Sequence, residues 1–486
     1  MRTTKILTLF LSAFFSVLNA TAQEKWDLRR CVEYALANNI SIKQADIDAR
    51  INKLYYDQAK WNQFGTVNVS TAIGLNFGRS IDQTTNIYTN VQGLSQYYNL
   101  NANITLFNWF SMKRTTEANK YAYDYRLVSI EKIKNDITLN VSAGYLTALL
   151  AKQQVELART KLYLTKHQLE NTRALVDAGS LPELNAAELE VQFAKDTSAV
   201  IAARETYDIS TLQLKGILNL DASAPFDLDT PPVETIPVEP IASLQPDIVY
   251  SIAIGTFPQQ KMNDLNITGL QKLVEAKKGV LYPTLSAYGA LGDNFFNNLQ
   301  KQTFVPLSPI PTQGYALDPV TNAQYQVYAP NGKIQYSSQP FFNAFQGYGE
   351  QLSNNFGQQV GLQLNIPIFN GLSRKTSYRQ AILNVESAKL TKETDLLNLK
   401  QGIYQSYYNA VAALEKFEAN KKAVVVAEKS FDLATKRYNI GMLNTIDYLT
   451  NQNNLFSARI DQLTAQYDYV FRIKVLEYYK GLGIKL

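Results

Sequence analysis

His167 and Cys31 are the only residues of their kinds in a chain of 486, and together they limit the chemistry. A protein-held zinc ion needs three or four His, Cys or carboxylate ligands, and a lone histidine does not supply them. Nucleophilic catalysis needs a nucleophile, a base and an orienting group within reach of one another. No Ser or Cys near His167 completes such a set. Lys166-His-Gln-Leu-Glu170 reads instead as the wet face of a helix. Glu188 and Glu190 are paired acids, but residues two apart on a helix do not face together. No glycine-rich phosphate loop follows a strand. The reading is a protein that makes and breaks no covalent bond and needs no cofactor or metal.

A single cysteine excludes an intramolecular disulfide, and Cys31 reads as packing an early helix. The formal charge of +5 is small for the length and forms no arginine-rich face, so nucleic acid is not expected as a partner. Arg2 and Lys5, the apolar run Ile6 to Val17, and Ala20-Thr-Ala22 together read as a signal peptide over 1–22. Beyond it no segment reaches 18 consecutive apolar residues, which excludes helical membrane spans. Yet 30 Tyr and 22 Phe accompany only 18% charged residues. That balance suits a chain that places strands in an outer membrane.

The elements follow one plan twice. Residues 23–218 form a first repeat, with strands at about 66–77 and 99–108 and a long helix at about 110–178. Residues 248–486 form a second, with strands at about 281–292 and 358–369 and a long helix at about 371–439. The Pro- and Asp-rich stretch 219–247 is a linker between them, since six prolines forbid a helix through it. Leu28 to Trp61 reads as one helix, and another follows from Glu183 to about Gly216. Each long helix has about 70 residues, roughly 100 Å at 1.5 Å rise per residue. Their apolar residues form a stripe, and no helix is apolar all round.

Strands of nine to twelve residues fit a tilted membrane crossing, for which about 9–11 suffice. Four strands cannot close a barrel, and an open edge is not tolerated in lipid. Closure must come from other copies. Three copies give twelve strands, an even count within the range such barrels show. The expected fold class is a mixed α/β membrane protein, a homotrimer sharing a 12-stranded barrel continuous with a helical tunnel. Gly292 to Asn355, rich in aromatic residues and proline, reads as an irregular surface loop.

The quoted motifs resemble the outer-membrane efflux protein family, the TolC-like outer-membrane factors. They are Leu36-Ala-Asn-Asn39, the strand exits Ile104-Thr-Leu-Phe-Asn108 and Ile366-Pro-Ile-Phe-Asn-Gly371, and the turns Val176-Asp-Ala-Gly-Ser-Leu181 and Tyr438-Asn-Ile-Gly-Met-Leu443. The resemblance covers Trp26 to Gly481 and implies an exit duct. Its barrel would sit in outer-membrane lipid and its helices in the periplasm. A periplasmic adaptor protein and an inner-membrane pump would be its partners. By turn alignment, the resemblance implies a periplasmic gate at Tyr438 and Asp447, with Leu443 and Asn185 replacing a basic–acidic pair. Tyr438 and Asn185 would hydrogen-bond, and Leu443 would pack across the axis. Leu443 as coiled-coil core and Asp447 as a solvated helix position are the plainer alternatives. Gly179, Ser180, Leu181, Gly441 and Met442 would form the tip turns and adaptor contacts.

The same duct would serve multidrug export or type I protein secretion. An adhesin or structural coiled coil would account for the helices but not for the duplicated strand pairs.

Overall fold

The computed structural model describes residues 25–81, 88–230, 236 and 238–481. The signal-peptide expectation for 1–22 lies outside the described residues. The chain divides into two compact units, one made of residues 57–117 and 272–381, the other of the remainder.

The first pass contains α1 (Leu28–Asn38), α2 (Ile40–Trp61), β1 (Thr66–Ile81), β2 (Tyr88–Phe107), α3 (Ser111–Asp177) and α4 (Glu183–Leu218). The second contains α5 (Pro246–Thr256), α6 (Pro258–Gly279), β3 (Thr284–Asn298), β4 (Gln300–Leu317), β5 (Gln324–Ser338), α7 (Tyr348–Asn355), β6 (Gly357–Asn365), α8 (Ser373–Asn439) and α9 (Thr445–Tyr479). Helix lengths run 11, 22, 67 and 36 residues in the first pass, and 11, 22, 67 and 35 in the second. The helical repeat therefore holds to within one residue. Among the described residues no helix is long and apolar enough to cross a membrane.

Leu28 to Trp61 is two helices rather than the one expected. Asn39 is extended, at φ −61° and ψ 130°. Its side chain accepts from the Ser41 amide at 2.8 Å and donates to the Ile217 carbonyl at 3.3 Å, while the Asn219 side chain accepts from the Ile40 amide at 3.0 Å. Asparagine side chains that offer the backbone other partners end helices in this way. In the second pass Pro258 makes the same break, because the residue before a proline is pushed out of helical geometry.

The stretch 219–247 is not a bare spacer. Trp26 and Leu228 form a parallel bridge, and Leu228 and Leu244 are fully buried. Leu228 joins Cys31, Tyr145, Leu149 and Leu214 in one apolar cluster, and Leu244 joins Ile403, Ile473 and Leu476 in a second. Each such side chain contributes about 1.5–3 kcal/mol by leaving water. Burial pushes the Cys31 thiol up to about 12, so it packs and does not react.

The other unit holds a four-stranded antiparallel sheet in the order β1-β2-β3-β6. Strand bounds differ from expectation. β1 runs on to Ile81, β2 begins at Tyr88 instead of about 99, β3 spans 284–298 instead of 281–292, and β6 stops at Asn365 instead of about 369. Pro367 has no N–H to give a ladder, so β6 ends before it. The segment from Gly292 to Asn355 is not irregular. It holds the β4–β5 hairpin, a 3-10 turn at Phe341–Phe345 and α7. Pro306, Pro309 and Pro311 lie within β4 and Pro330 within β5. Both belong to a two-stranded sheet, so each has an edge where a missing N–H is tolerated. The register slips between Leu307 and Ile310 and again between Pro311 and Tyr315.

Both long helices start after two consecutive left-handed residues, Trp109 and Phe110 in one repeat and Gly371 and Leu372 in the other. A non-glycine residue there costs about 1–2 kcal/mol. Trp109 offsets it by donating its indole N–H to the Pro283 carbonyl at 2.9 Å and packing on Tyr282.

Candidate functional site

Strand alternation sorts the sheet into two chemically distinct faces. One carries Val67, Val69 and Ile73 on β1, Leu100 and Ala102 on β2, Leu291 on β3, and Val360, Leu362 and Leu364 on β6, placed side by side by the pairing registers. Val69 is 70% exposed and Val360 89%, so the face is bare around these residues, whereas Leu94 and Phe295 farther along it are buried against Tyr348 and Leu352. The other carries Asn68, Ser70 and Asn76 on β1, Asn99, Asn101 and Asn103 on β2, Ser286 and Asn294 on β3, and Gln359 and Gln363 on β6. Among the described residues of the sheet, this polar face holds no Asp, Glu, Lys or Arg. Tyr288 lies over Gly361, whose missing Cβ would meet the ring at 2.6 Å. The apolar face runs from Val67 to Phe77 on β1, about 33 Å along the strand at ~3.3 Å per residue. With a tilt of about 40° this gives the ~25 Å apolar band of a membrane barrel.

In the helical unit, the turns after α3 and α8 are built alike. The Gly179 amide donates to the Val176 carbonyl and the Ser180 amide to the Leu175 carbonyl, both at 2.8 Å. The Gly441 amide donates to Tyr438 at 3.0 Å and the Met442 amide to Arg437 at 2.8 Å. Gly179 and Gly441 have φ of +70° and +73°. These are Schellman closures, in which glycine takes the left-handed position without a Cβ clash.

The expected tip residues do come to these turns, but with other partners than expected. The Tyr438 hydroxyl lies 3.4 Å from both Thr172 and Thr445, and Asn185 is not among its partners. The Tyr438 ring stacks on Tyr448 at 4.7 Å. Burial, with Tyr438 beside it, raises the Tyr448 phenol above its usual range. Leu443 is half-buried against the cluster of Leu189, Tyr448 and Leu449 of its own chain, on which Tyr438 also packs, the coiled-coil core position. Asp447 is exposed and helps cap α9. The Asn444 side chain accepts from the Asp447 amide at 2.8 Å and donates to its carboxylate at 3.0 Å. Leu181 is half-buried, while Gly179, Ser180, Gly441 and Met442 are exposed.

Three features escaped sequence reading. Arg173 pairs with Glu183 at 2.5 Å and Glu190 at 3.6 Å across the first turn. Ile440 and Ile446 stand 68% and 60% exposed around the second, on either side of the expected Met442; apolar residues flanking a turn glycine are the available signal. The third is a buried polar layer. Asp196, only 2% exposed, accepts from Thr165 and Gln192 at 2.8 Å and pairs with Lys161 at 2.8 Å. Gln452 donates to Thr165 at 3.4 Å and leaves its own oxygen without a partner. Its members come from three helices far apart in sequence, so no local pattern marks it. Among the described residues no group of His, Cys, Asp and Glu is arranged to hold a metal.

The sequence profile of the family described as "Outer membrane efflux protein" matches residues 31–220 and 336–474. Outer membrane protein TolC of Escherichia coli is 30% identical over 118 residues, 24% of this chain and 24% of TolC. Alkaline protease secretion protein AprF of Pseudomonas aeruginosa is 21% identical over 367 residues, 73% of this chain and 64% of AprF. The chain thus spans about a quarter of TolC and under two thirds of AprF in these alignments. A crystal structure of CusC superimposes with a TM-score of 0.71 at 14% identity, over 95% of this chain and 93% of that one. That likeness establishes a shared fold.

Proposed function

Because the chain belongs to the outer membrane efflux protein family, we propose that it is the outer-membrane exit duct of a tripartite export system. Three copies share one barrel of twelve strands, with the β1 edge of each against the β6 edge of the next. The apolar faces meet lipid, the polar faces line the lumen, and the long helices form the periplasmic tunnel. Energy comes from an inner-membrane pump through a periplasmic adaptor. The observation that carries this reading is the segregated four-stranded sheet with two open edges. An open edge in lipid would leave its N–H and C=O groups unpaired, at several kcal/mol each.

Mass measurement of the detergent-extracted particle, with single-channel recording in a planar bilayer, tests the proposal. A trimer with one water-filled conductance is expected. A stable monomer with a barrel of its own would refute it. AprF bears the name of a protease secretion protein, and the same duct would pass an unfolded polypeptide. Export of a reporter protein against export of a small dye separates the two cargoes.

At the periplasmic end, the Tyr438–Tyr448–Leu443 packing is the proposed closure, and the exposed Ile440, Met442 and Ile446 the adaptor contact. Asn185, Gly179, Ser180, Leu181 and Gly441 shape the same end. Asp447, repeated around a three-fold axis, would favour cations. Leu443→Ala is expected to raise open probability several-fold. Raising salt from 0.1 to 1 M, which shortens the screening length from about 10 to 3 Å, should change it less. A parent channel that opens with salt while Leu443→Ala stays shut would place the closure in ion pairs such as Arg173–Glu183.

A further inference from the structure

Above the end of β6 the sheet lacks its fourth strand, and α7 lies along that open edge of β3, against the apolar side of the sheet. β3 pairs with β6 only as far as Gly292 opposite Gly357, yet continues to Asn298. Along that stretch side chains of α7 supply the missing bonds. The Phe296 amide donates to the Gln351 side chain at 3.1 Å, and the Asn355 side chain donates to the Asn294 carbonyl at 2.6 Å. Leu352 and Tyr348 hold the helix against Leu94 and Phe295, and the Tyr348 hydroxyl meets Tyr98 at 2.8 Å and Gln96 at 3.0 Å. The remaining side of α7, with Gly349, Glu350, Ser353 and Asn354, is exposed.

We propose that this side of α7 is a seam against a second copy of the chain, in which Glu350 pairs with Arg79 of the partner subunit. The inference rests on the shared barrel proposed above and concerns a part of its wall that strand pairing leaves open. β1 has sixteen residues and β6 nine, so at least seven positions along the β1 edge gain no partner from β6. The missing strand would leave β3 and the neighbouring β1 two strand spacings apart, ~9.6 Å. One helix is about 10 Å wide.

Level and charge agree with this placement. Thr66, Asn103, Tyr288 and Gly361 lie on one row of the sheet. Apolar faces must match across a seam, and β1 cannot pair below Thr66 because a 3-10 turn at Asn62–Phe64 precedes it. The lowest register meeting both conditions sets Asn365 opposite Thr66 of the partner subunit, and hence Gly357 opposite its Gly74. Arg79 then rises five residues above the end of β6. Five residues above Gly292 on β3 is Asn297, next to the Phe296 amide that Gln351 binds. Arg79 belongs to the apolar side of the sheet, the side on which α7 packs. It is the one charged residue of β1, and Glu350 the one charged residue of α7. Among the described residues neither has an ion-pair partner within its own chain. Arg79 rests over the Tyr88 ring.

The test uses the full-length protein in a Cys31→Ser background, treated in intact cells with a short bis-maleimide. One variant carries Glu350→Cys and Arg79→Cys; a control carries Leu362→Cys and Val69→Cys at the β6–β1 seam. Covalent dimer and trimer at least ten-fold above the single-cysteine variants are expected from both. If the control links and the Glu350/Arg79 pair stays monomeric, the α7 seam is overturned and the shared barrel stands. If neither links, both fall. Charge is read separately by heat resistance of the trimer on gels. Glu350→Arg should lower it and Glu350→Arg with Arg79→Glu should restore it; no restoration overturns the ion pair.

Discussion

Ile73→Arg is expected to abolish the outer-membrane trimer, whereas Asn101→Arg should leave it intact and turn its ion preference toward anions. Ile73 lies near the middle of the apolar band on β1, and Asn101 lies on the polar face of β2. An arginine facing lipid at mid-depth costs about 2–4 kcal/mol per copy. Three copies fold or fail together, so the penalty approaches the whole stability of an ordinary domain, about 5–15 kcal/mol. On the polar face the guanidinium stays in water. Among the described residues nothing on that face carries charge, so three new cations would dominate the local potential. Trimer yield from outer-membrane fractions and the reversal potential in a salt gradient check the pair. Normal trimer from Ile73→Arg with loss from Asn101→Arg would mean that the two faces are assigned the wrong way round.

In the helical unit the largest effect is expected at Asp196. Asp196→Ala removes the acceptor shared by Thr165, Gln192 and Lys161. Breaking a buried pair by deleting one partner costs about 3–5 kcal/mol, because the other charge is left uncompensated. At roughly 2–4 °C per kcal/mol for a unit of this size, the helical melting transition should fall by about 10 °C. Asp196→Asn, which keeps the shape and an acceptor oxygen, should lose less. Circular dichroism of the detergent-solubilised protein reads both. An unchanged transition for Asp196→Ala would show that the layer contributes nothing to stability.

Much of this architecture is legible in local patterns. The two long helices were readable because a period of 3.6 persisted over some 70 residues, and their ends because Gly179 and Gly441 can take a left-handed turn. The four sheet strands were recognised, but their bounds were not. The alternation that marks a strand is masked where Tyr97 and Tyr98 put one aromatic ring on each face of β2. Proline is a poor guide to the 292–355 segment. Pro306, Pro309 and Pro311 read as irregular chain, yet a strand with a free edge accommodates them. Asn39 looked like one polar residue inside a helix, and its bonds to Ile217 and Ser41 end that helix.

The sequence by itself determined the duplicated helix–strand plan, the turn chemistry and the alternation that becomes two faces. Each depends on residues within a few turns or a few strand positions of one another, where periodicity and backbone preference act directly. Tertiary structure alone decided the partners. Tyr438 meets Thr172 and Tyr448, Leu443 fills a core within its own chain, and Asp196 gathers Lys161, Thr165 and Gln192. It also set α7 beside β3 where β6 runs out. Such meetings join residues tens to hundreds of positions apart. They are selected by which packing leaves the fewest buried polar groups unpaired, and no local period encodes that.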